Sequence, residues 1–170
     1  VGGYGRGELL PHSDIDLLIL TSKDNNKEYK DPISQFLTLL WDIGLQVGQS
    51  VRSVSQCVKE AKQDITVATA LMESRTLAGS PLLYEKMIAA TSGSKVWPIK
   101  KFVQAKIDEQ KARHEKYHDV DYALEPNVKT SPGGLRDIQT IAWVSKRHFG
   151  AGSFSDLVQL GFLKASEETM

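Results

Sequence analysis

The chain of 170 residues carries 21 basic and 21 acidic side chains, a formal net charge of zero, with 25% charged and 41% hydrophobic residues, the balance of a soluble globular protein able to bury a core in one or two domains. Zero net charge excludes a general electrostatic attraction to nucleic acid or to a membrane surface, so any anionic ligand must be held by local groups. The single cysteine, Cys57, excludes an internal disulfide and a cysteine-built zinc site and favours a reducing, cytoplasmic setting.

The chain opens on Val1 followed at once by glycines, in VGGYGRGELLPHSDIDLLIL. A glycine turn of this kind normally follows a strand, which here is expected to precede residue 1, so the chain reads as a piece of a longer protein. DIDLLIL has strand character, with Asp14, Asp16, Leu18 and Leu20 on one face by the period of two. Asp31 as cap and Pro32 at the first helical position open a helix with Ile33, Phe36, Leu37, Leu40 and Trp41 in register, and Gly44 ends it. A second strand is expected in LQVGQSVRSV, then a short helix through Cys57 and Ala61 capped by Ser53 or Ser55. DITVATALMESRTLAG reads as a helix followed by a short strand up to Gly79, and Ser80-Pro81 begins another helix that ends near TSGSK. That small-residue stretch is the expected domain boundary, with domains at 1–92 and 93–170. Beyond it, Pro98 starts a long helix with Phe102, Val103 and Ile107 inward. EPNVKTSPGG is a loop, and Ile138, Ile141, Ala142 and Phe149 mark a further helix. KASEETM reads as the start of a helix that is cut short.

Chemistry concentrates near the start. Residues two apart on a strand stand about 7 Å from each other and point the same way, so Asp14 and Asp16 can converge on one cation. Hard oxygen ligands without a nearby histidine or thiolate favour Mg²⁺. The competing reading is a turn cap at Asp14 and a solvated Asp16. Gly2, Gly3 and Gly5 can bring backbone N–H groups close to an anion, and Arg6 adds a forked permanent charge, which together suit a triphosphate. Otherwise they form a tight turn with Arg6 on the surface.

A Gly-Gly pair followed by Asp-hydrophobic-Asp resembles the signature of the polymerase-β-like nucleotidyltransferase superfamily. GGYGRGEL and SDIDLL, with LWDIGLQVGQSVRS, LMESRTLAG and SPGGLRDIQTI, are more closely similar to the bacterial protein-PII uridylyltransferase/uridylyl-removing enzyme family over nearly the whole chain. The resemblance implies an α+β fold: a polymerase-β-like nucleotidyltransferase mixed sheet with flanking helices, its N-terminal part missing, followed by an all-helical domain whose C-terminal part is missing. It implies transfer of UMP from UTP to a tyrosine hydroxyl of the signalling protein PII, with release of pyrophosphate, in nitrogen regulation. Asp14 and Asp16 match the metal-binding pair, holding two Mg²⁺ ions, while Gly2, Gly3 and Ser13 cradle the phosphates and Arg6 stabilises their charge.

Relatives in the superfamily add a third carboxylate. Gln49, on the second strand, cannot serve, which leaves Glu73 as the preferred candidate and Asp64 as its rival; the alternatives are a salt bridge from Glu73 to Arg75 and a helix cap at Asp64. Lys129, Arg136 and the Gly133-Gly134 amides are candidate nucleotide contacts, unless Arg136 and Asp137 pair locally. His118-Asp119 reads as accidental, because a metal-dependent phosphohydrolase site needs further ligands. Two alternatives to the family reading stay open: another nucleotidyltransferase that uses ATP or modifies a different target, and a module that binds nucleotide or PII without chemistry. The chain in isolation is expected to be weak or silent in transfer, since a strand before Val1 should support the glycine turn.

Overall fold

The computed structural model describes residues 1–9, 13–24, 27–116, 127–150, 154–161 and 164. The chain divides into two compact units, Val1–Val96 and Trp97–Met170. KASEETM beyond its first residue and His118-Asp119 lie outside the described residues.

The first unit holds two parallel strands, β1 (Ile15–Thr21) and β2 (Val47–Ser53), paired from Ile15 with Val47 to Thr21 with Ser53. Parallel neighbours need a crossover rather than a tight turn. Here it is α2 (Lys30–Asp42), which follows a 3-10 turn at Lys27–Tyr29. Tyr29 rather than Asp31 takes the cap position, and Gly44, at φ 84°, turns the chain out of the helix. Of the face expected to point inward, Leu37 is the fully buried member, whereas Phe36 and Trp41 remain 47% and 49% exposed. A two-stranded platform covers little more than one row of a helix. Trp41 is held instead through its indole, Nε1 donating to the Val47 carbonyl at 3.3 Å.

The glycine stretch forms a short helix, α1 (Gly2–Arg6), instead of the expected turn, and Gly7 closes it in the left-handed conformation at φ 77°. After β2, Ser53 caps α3 (Val54–Gln63) with a full capping box: its hydroxyl accepts from Gln56 N at 3.1 Å and the Gln56 side chain accepts from Ser53 N at 2.9 Å. Asp64 caps α4 (Ile65–Met72), and Ser80 with Pro81 opens α5 (Pro81–Thr91). Leu37, Cys57, Ala61, Ala68, Leu71, Met87 and Val96 make the core of this unit among the described residues.

The strand expected before Gly79 is absent from the described residues. A strand needs a pairing edge, and this segment is tied by side chains instead: the Tyr84 hydroxyl donates to the Ser74 carbonyl at 2.7 Å, and Arg75 Nε to the Tyr4 carbonyl at 3.0 Å. The β-branched residues that suggested a strand belong to α4, where Thr69 Oγ1 bonds back to the Ile65 carbonyl at 3.1 Å.

In the second unit the described elements are three helices, α6 (Ile99–Glu115), α7 (Leu135–Phe149) and α8 (Phe154–Gln159). Phe102, Trp143 and Leu157 are its buried apolar residues. Ile107, expected inside, is 38% exposed, because Lys106 takes the inward position beside it at 1% exposure. Ile138, Ile141 and Phe149 lie on the exposed side of α7, whose buried side is Thr140, Trp143 and Ser145. The indole of Trp143 is the largest group on the helix and claims the core. Helices and a small parallel sheet together give an α+β architecture, and no described helix is long and apolar enough to cross a membrane.

Ser53 joins the sheet to α3, and its hydroxyl also contacts Asp24. Ser53→Ala is expected to lower stability by about 1–2 kcal/mol, read as a downward shift of the thermal midpoint; an unchanged midpoint would show the box to be idle.

Candidate active site

Asp16 is the second residue of β1, and the register sets it against Gly48 of β2. A side chain at either of two glycine positions would collide with its carboxylate. A Cβ at position 48 would stand 2.8 Å from Oδ1, and a Cβ at position 2 would stand 3.0 Å from Oδ2. Gly2 also has φ 59°, a conformation that side chains rarely adopt. The Asp16 carboxylate is therefore cupped by two bare backbones. It remains exposed and makes no hydrogen bond or ion pair with any described residue, and the same holds for Asp14, just before the strand begins. Asp16 borders two cavities of about 340 and 360 Å³, a size that accepts small molecules. Gly48 escaped the sequence reading; a lone glycine inside a strand pattern, a mark of close approach, is the signal that could have found it.

Gln49 pairs with Leu17, one step from Asp16, so its side chain leaves the sheet on the face opposite to Gly48. Along β2, the positions sharing a face with Gly48 are Ser50 and Arg52, and neither is acidic. Among the described residues no group of three His, Cys, Asp or Glu side chains stands close enough to hold a metal. Asp64 acts as a helix cap, accepting from Thr66 N at 2.7 Å and Thr66 Oγ1 at 2.6 Å, and these bonds hold its carboxyl below the usual range.

Glu73 terminates α4, and its side chain is 8% exposed. Its carboxylate meets Arg6 Nη1 at 2.6 Å, while Arg6 Nε donates to Glu8 at 2.7 Å. The salt-bridge partner of Glu73 is thus Arg6, while Arg75 reaches α1 through the Tyr4 carbonyl. Gly3 lies within α1, and Ser13 is exposed directly ahead of Asp14.

Lys129 and Arg136 belong to the second unit. Asn127 Oδ1 accepts from Lys129 N and Thr130 N, both at 3.0 Å, and the Lys129 carbonyl accepts from Arg136 N at 2.9 Å. A Cβ on Gly134 would come within 2.7 Å of the Val128 carbonyl, so this fold of the turn requires a glycine there. The Lys129 amine is exposed and without a described partner. Arg136 does not pair with Asp137; its guanidinium lies 5.3 Å from the centre of the Trp143 ring. Lys106 Nζ is 4.1 Å from the centre of the same ring and 2.5 Å from Glu109.

Asp137 gathers the turn onto α6. It accepts from Gly133 N at 2.8 Å, Gln110 Nε2 at 2.9 Å and His114 Nε2 at 3.0 Å, and it pairs with Arg113. Partial burial opposes its ionisation, but the Gln110, Gly133, Arg113 and His114 bonds outweigh that and depress its pKa. A depressed carboxyl contributes stability above its unfolded pKa, near 4, that is lost as pH falls through the folded value. Asp137→Ala is expected to cost about 3 kcal/mol at neutral pH, with the deficit shrinking below about pH 4. Thermal melts of both proteins across pH check this, and a deficit independent of pH would contradict it.

Comparison with known proteins adds sequence kinship to this geometry. A model described as Nucleotidyltransferase domain matches residues 1–133, and one described as GlnD PII-uridylyltransferase matches residues 101–169. Proteins named bifunctional uridylyltransferase/uridylyl-removing enzyme are similar along the chain. That of Ectopseudomonas mendocina is 60% identical over 167 residues, and that of Pseudomonas savastanoi pv. phaseolicola 58% identical over 170. The protein of Pseudomonas aeruginosa is 57% identical over the same span. These matches cover 98–100% of this chain and 19% of each relative, so the chain spans about a fifth of the relatives' length. No solved structure matches.

Proposed function

The chain belongs to the bifunctional uridylyltransferase/uridylyl-removing enzyme family, and on that premise we propose that it carries the nucleotidyl-transfer site of such a protein, moving UMP from UTP to a tyrosine hydroxyl of PII with release of pyrophosphate. In this reading residues 1–92 form the nucleotidyltransferase domain, residues 93–170 belong to a following helical domain, and the reaction is cytoplasmic. The observation that carries the reading is the exposed Asp16 carboxylate, cupped by Gly2 and Gly48 and making no hydrogen bond or ion pair with any described residue, two residues from Asp14, of which the same holds. Carboxylates left without protein donors suit a hard divalent cation.

Asp14 and Asp16 would hold Mg²⁺, a two-metal site in this reading, which supplies positive charge that acidifies the attacking hydroxyl and offsets charge on the leaving pyrophosphate. The tyrosine oxygen forms a bond to the α-phosphorus as the bond to pyrophosphate breaks, and the hydroxyl proton is lost to solvent. Gly2 and Gly3, within α1, let backbone N–H groups approach the phosphates, with Ser13 beside them. Arg6, fixed by Glu8 and Glu73, keeps the Nη2 edge of its guanidinium for phosphate oxygens. The residues of the chain therefore act mainly by positioning and by fixed charge. In the second unit, Lys129 and Arg136 are the candidate nucleotide contacts.

Transfer of label from α-phosphate-labelled UTP to PII by the full-length protein tests the reading. Asp14→Asn with Asp16→Asn is expected to lower Mg²⁺-dependent labelling by at least about 10²-fold with the fold intact. Labelling undiminished in that variant, or supported equally by ATP, would overturn it. Gly48→Ala should displace the Asp16 carboxylate and raise the Mg²⁺ concentration for half-maximal labelling by about tenfold or more; an unaltered Mg²⁺ titration would show that the cup does not matter.

A further inference from the structure

The glycine-bearing helix α1 cannot hold its own position. It has five residues, no side-chain cap and no buried residue, and an isolated helix of that length is unstable in water. Val1 N, at its cap, donates to the Asp16 carbonyl of β1 at 2.9 Å, and the rest of the helix is placed by three consecutive contacts with the end of α4 and the residues after it. Arg75 donates Nε to the Tyr4 carbonyl at 3.0 Å and lays its guanidinium 4.9 Å from the centre of the Tyr4 ring. The Glu73 carbonyl sits where a Cβ of Gly5 would be, only 1.8 Å from that point. The Glu73 carboxylate grips Arg6 Nη1 at 2.6 Å from a position that is 8% exposed. Tyr4, Gly5 and Arg6 are thus seized in turn by Glu73 and Arg75, and the same small helix begins with Gly2, whose bare backbone lies against Asp16.

We propose that Glu73 and Arg75 are positioning residues, a clamp that sets α1 against β1 so that Gly2, Gly3 and Arg6 meet the nucleotide phosphates, and that Glu73 is not the third metal-binding acid. This deepens the nucleotidyl-transfer reading and rests on it. Glu73 spends its carboxylate on a guanidinium, and no described cluster of three acids includes it. Its effect on the reaction therefore passes through Arg6 and the backbone of α1. Gly5 is required for a steric reason and not for contact with any ligand, since the α4 terminus packs directly onto it.

The test uses the full-length protein with Glu73→Gln and the milder Arg75→Lys, which keeps the charge but loses the Nε bond. Three quantities are measured: affinity for a non-hydrolysable UTP analogue by calorimetry, the Mg²⁺ concentration for half-maximal transfer at saturating UTP, and the thermal midpoint. A clamp predicts that each variant weakens analogue binding by about tenfold or more and that any change in the Mg²⁺ requirement, through the Gly2 side of the Asp16 cup, is equal in the two. The double variant should be scarcely worse than the singles, because both groups hold one element. A raised Mg²⁺ requirement in Glu73→Gln alone would make Glu73 a metal ligand and overturn the inference, as would native analogue affinity in both variants, whatever their thermal midpoints. If Glu73→Gln fails to fold, Arg75→Lys decides by the same affinity. Loss of transfer in the Asp14, Asp16 variant together with native affinity in the clamp variants sinks the clamp alone, whereas transfer surviving in that Asp14, Asp16 variant sinks the functional reading first.

Discussion

A carboxylate that stands exposed between two backbones with no room for a side chain sets the geometry of the first unit. Asp16 is fixed by the strand on which it sits, and the strand by its pairing with β2, so the only freedom lies in what surrounds the carboxylate. Gly48 comes from β2 and Gly2 from α1, and any larger residue at either place would meet an Asp16 oxygen at 3.0 Å or less. Three elements distant in sequence therefore converge on one side chain. An exposed anion with no hydrogen-bond donor from the described protein adds little to folding, which is why the proposed function gives it a ligand.

The second unit treats charge in the opposite way. Lys106 is 1% exposed, yet its ammonium has both a carboxylate and an aromatic face. Asp137 is bonded by the Arg113 guanidinium, the His114 ring, the Gln110 amide and the Gly133 backbone N–H. Such buried networks are weak sources of net stability, but removing one member strands the rest. Their product is geometry: the Gly133-Gly134 turn is anchored to α6, and Arg136 is turned away from Asp137 towards Trp143. Where the first unit leaves two acids without described partners, the second leaves Lys129 in that state, its amine exposed on a turn whose backbone is firmly fixed.

Local signals in the sequence carried the elements well. Ser53, Ser80 and Gly44 end or begin helices as their chemistry demands, and Asp16 lies at the start of a strand, with Asp14, expected on it, just ahead. Where the reading failed, tertiary contacts prevailed. The segment before Gly79 looked like a strand from its composition, but Tyr84 and Arg75 fix it without a pairing edge. Apolar periodicity placed Ile107 inside, while a long amphipathic lysine with an aromatic partner took the buried site, which no hydropathy pattern registers. Gly48 and the grip of Glu73 on Arg6 were invisible for a related reason: each depends on which residue arrives from another element, and a single sequence does not display that register.

Anomalous diffraction from the full-length protein, crystallised with Mn²⁺ and a non-hydrolysable UTP analogue, addresses the central claim most directly. The account predicts manganese peaks in contact with the carboxylates of Asp14 and Asp16, the phosphates lying over Gly2 and Gly3, and Glu73 still paired with Arg6. Manganese bound away from Asp16, or coordinated by Glu73 after release of Arg6, would contradict it.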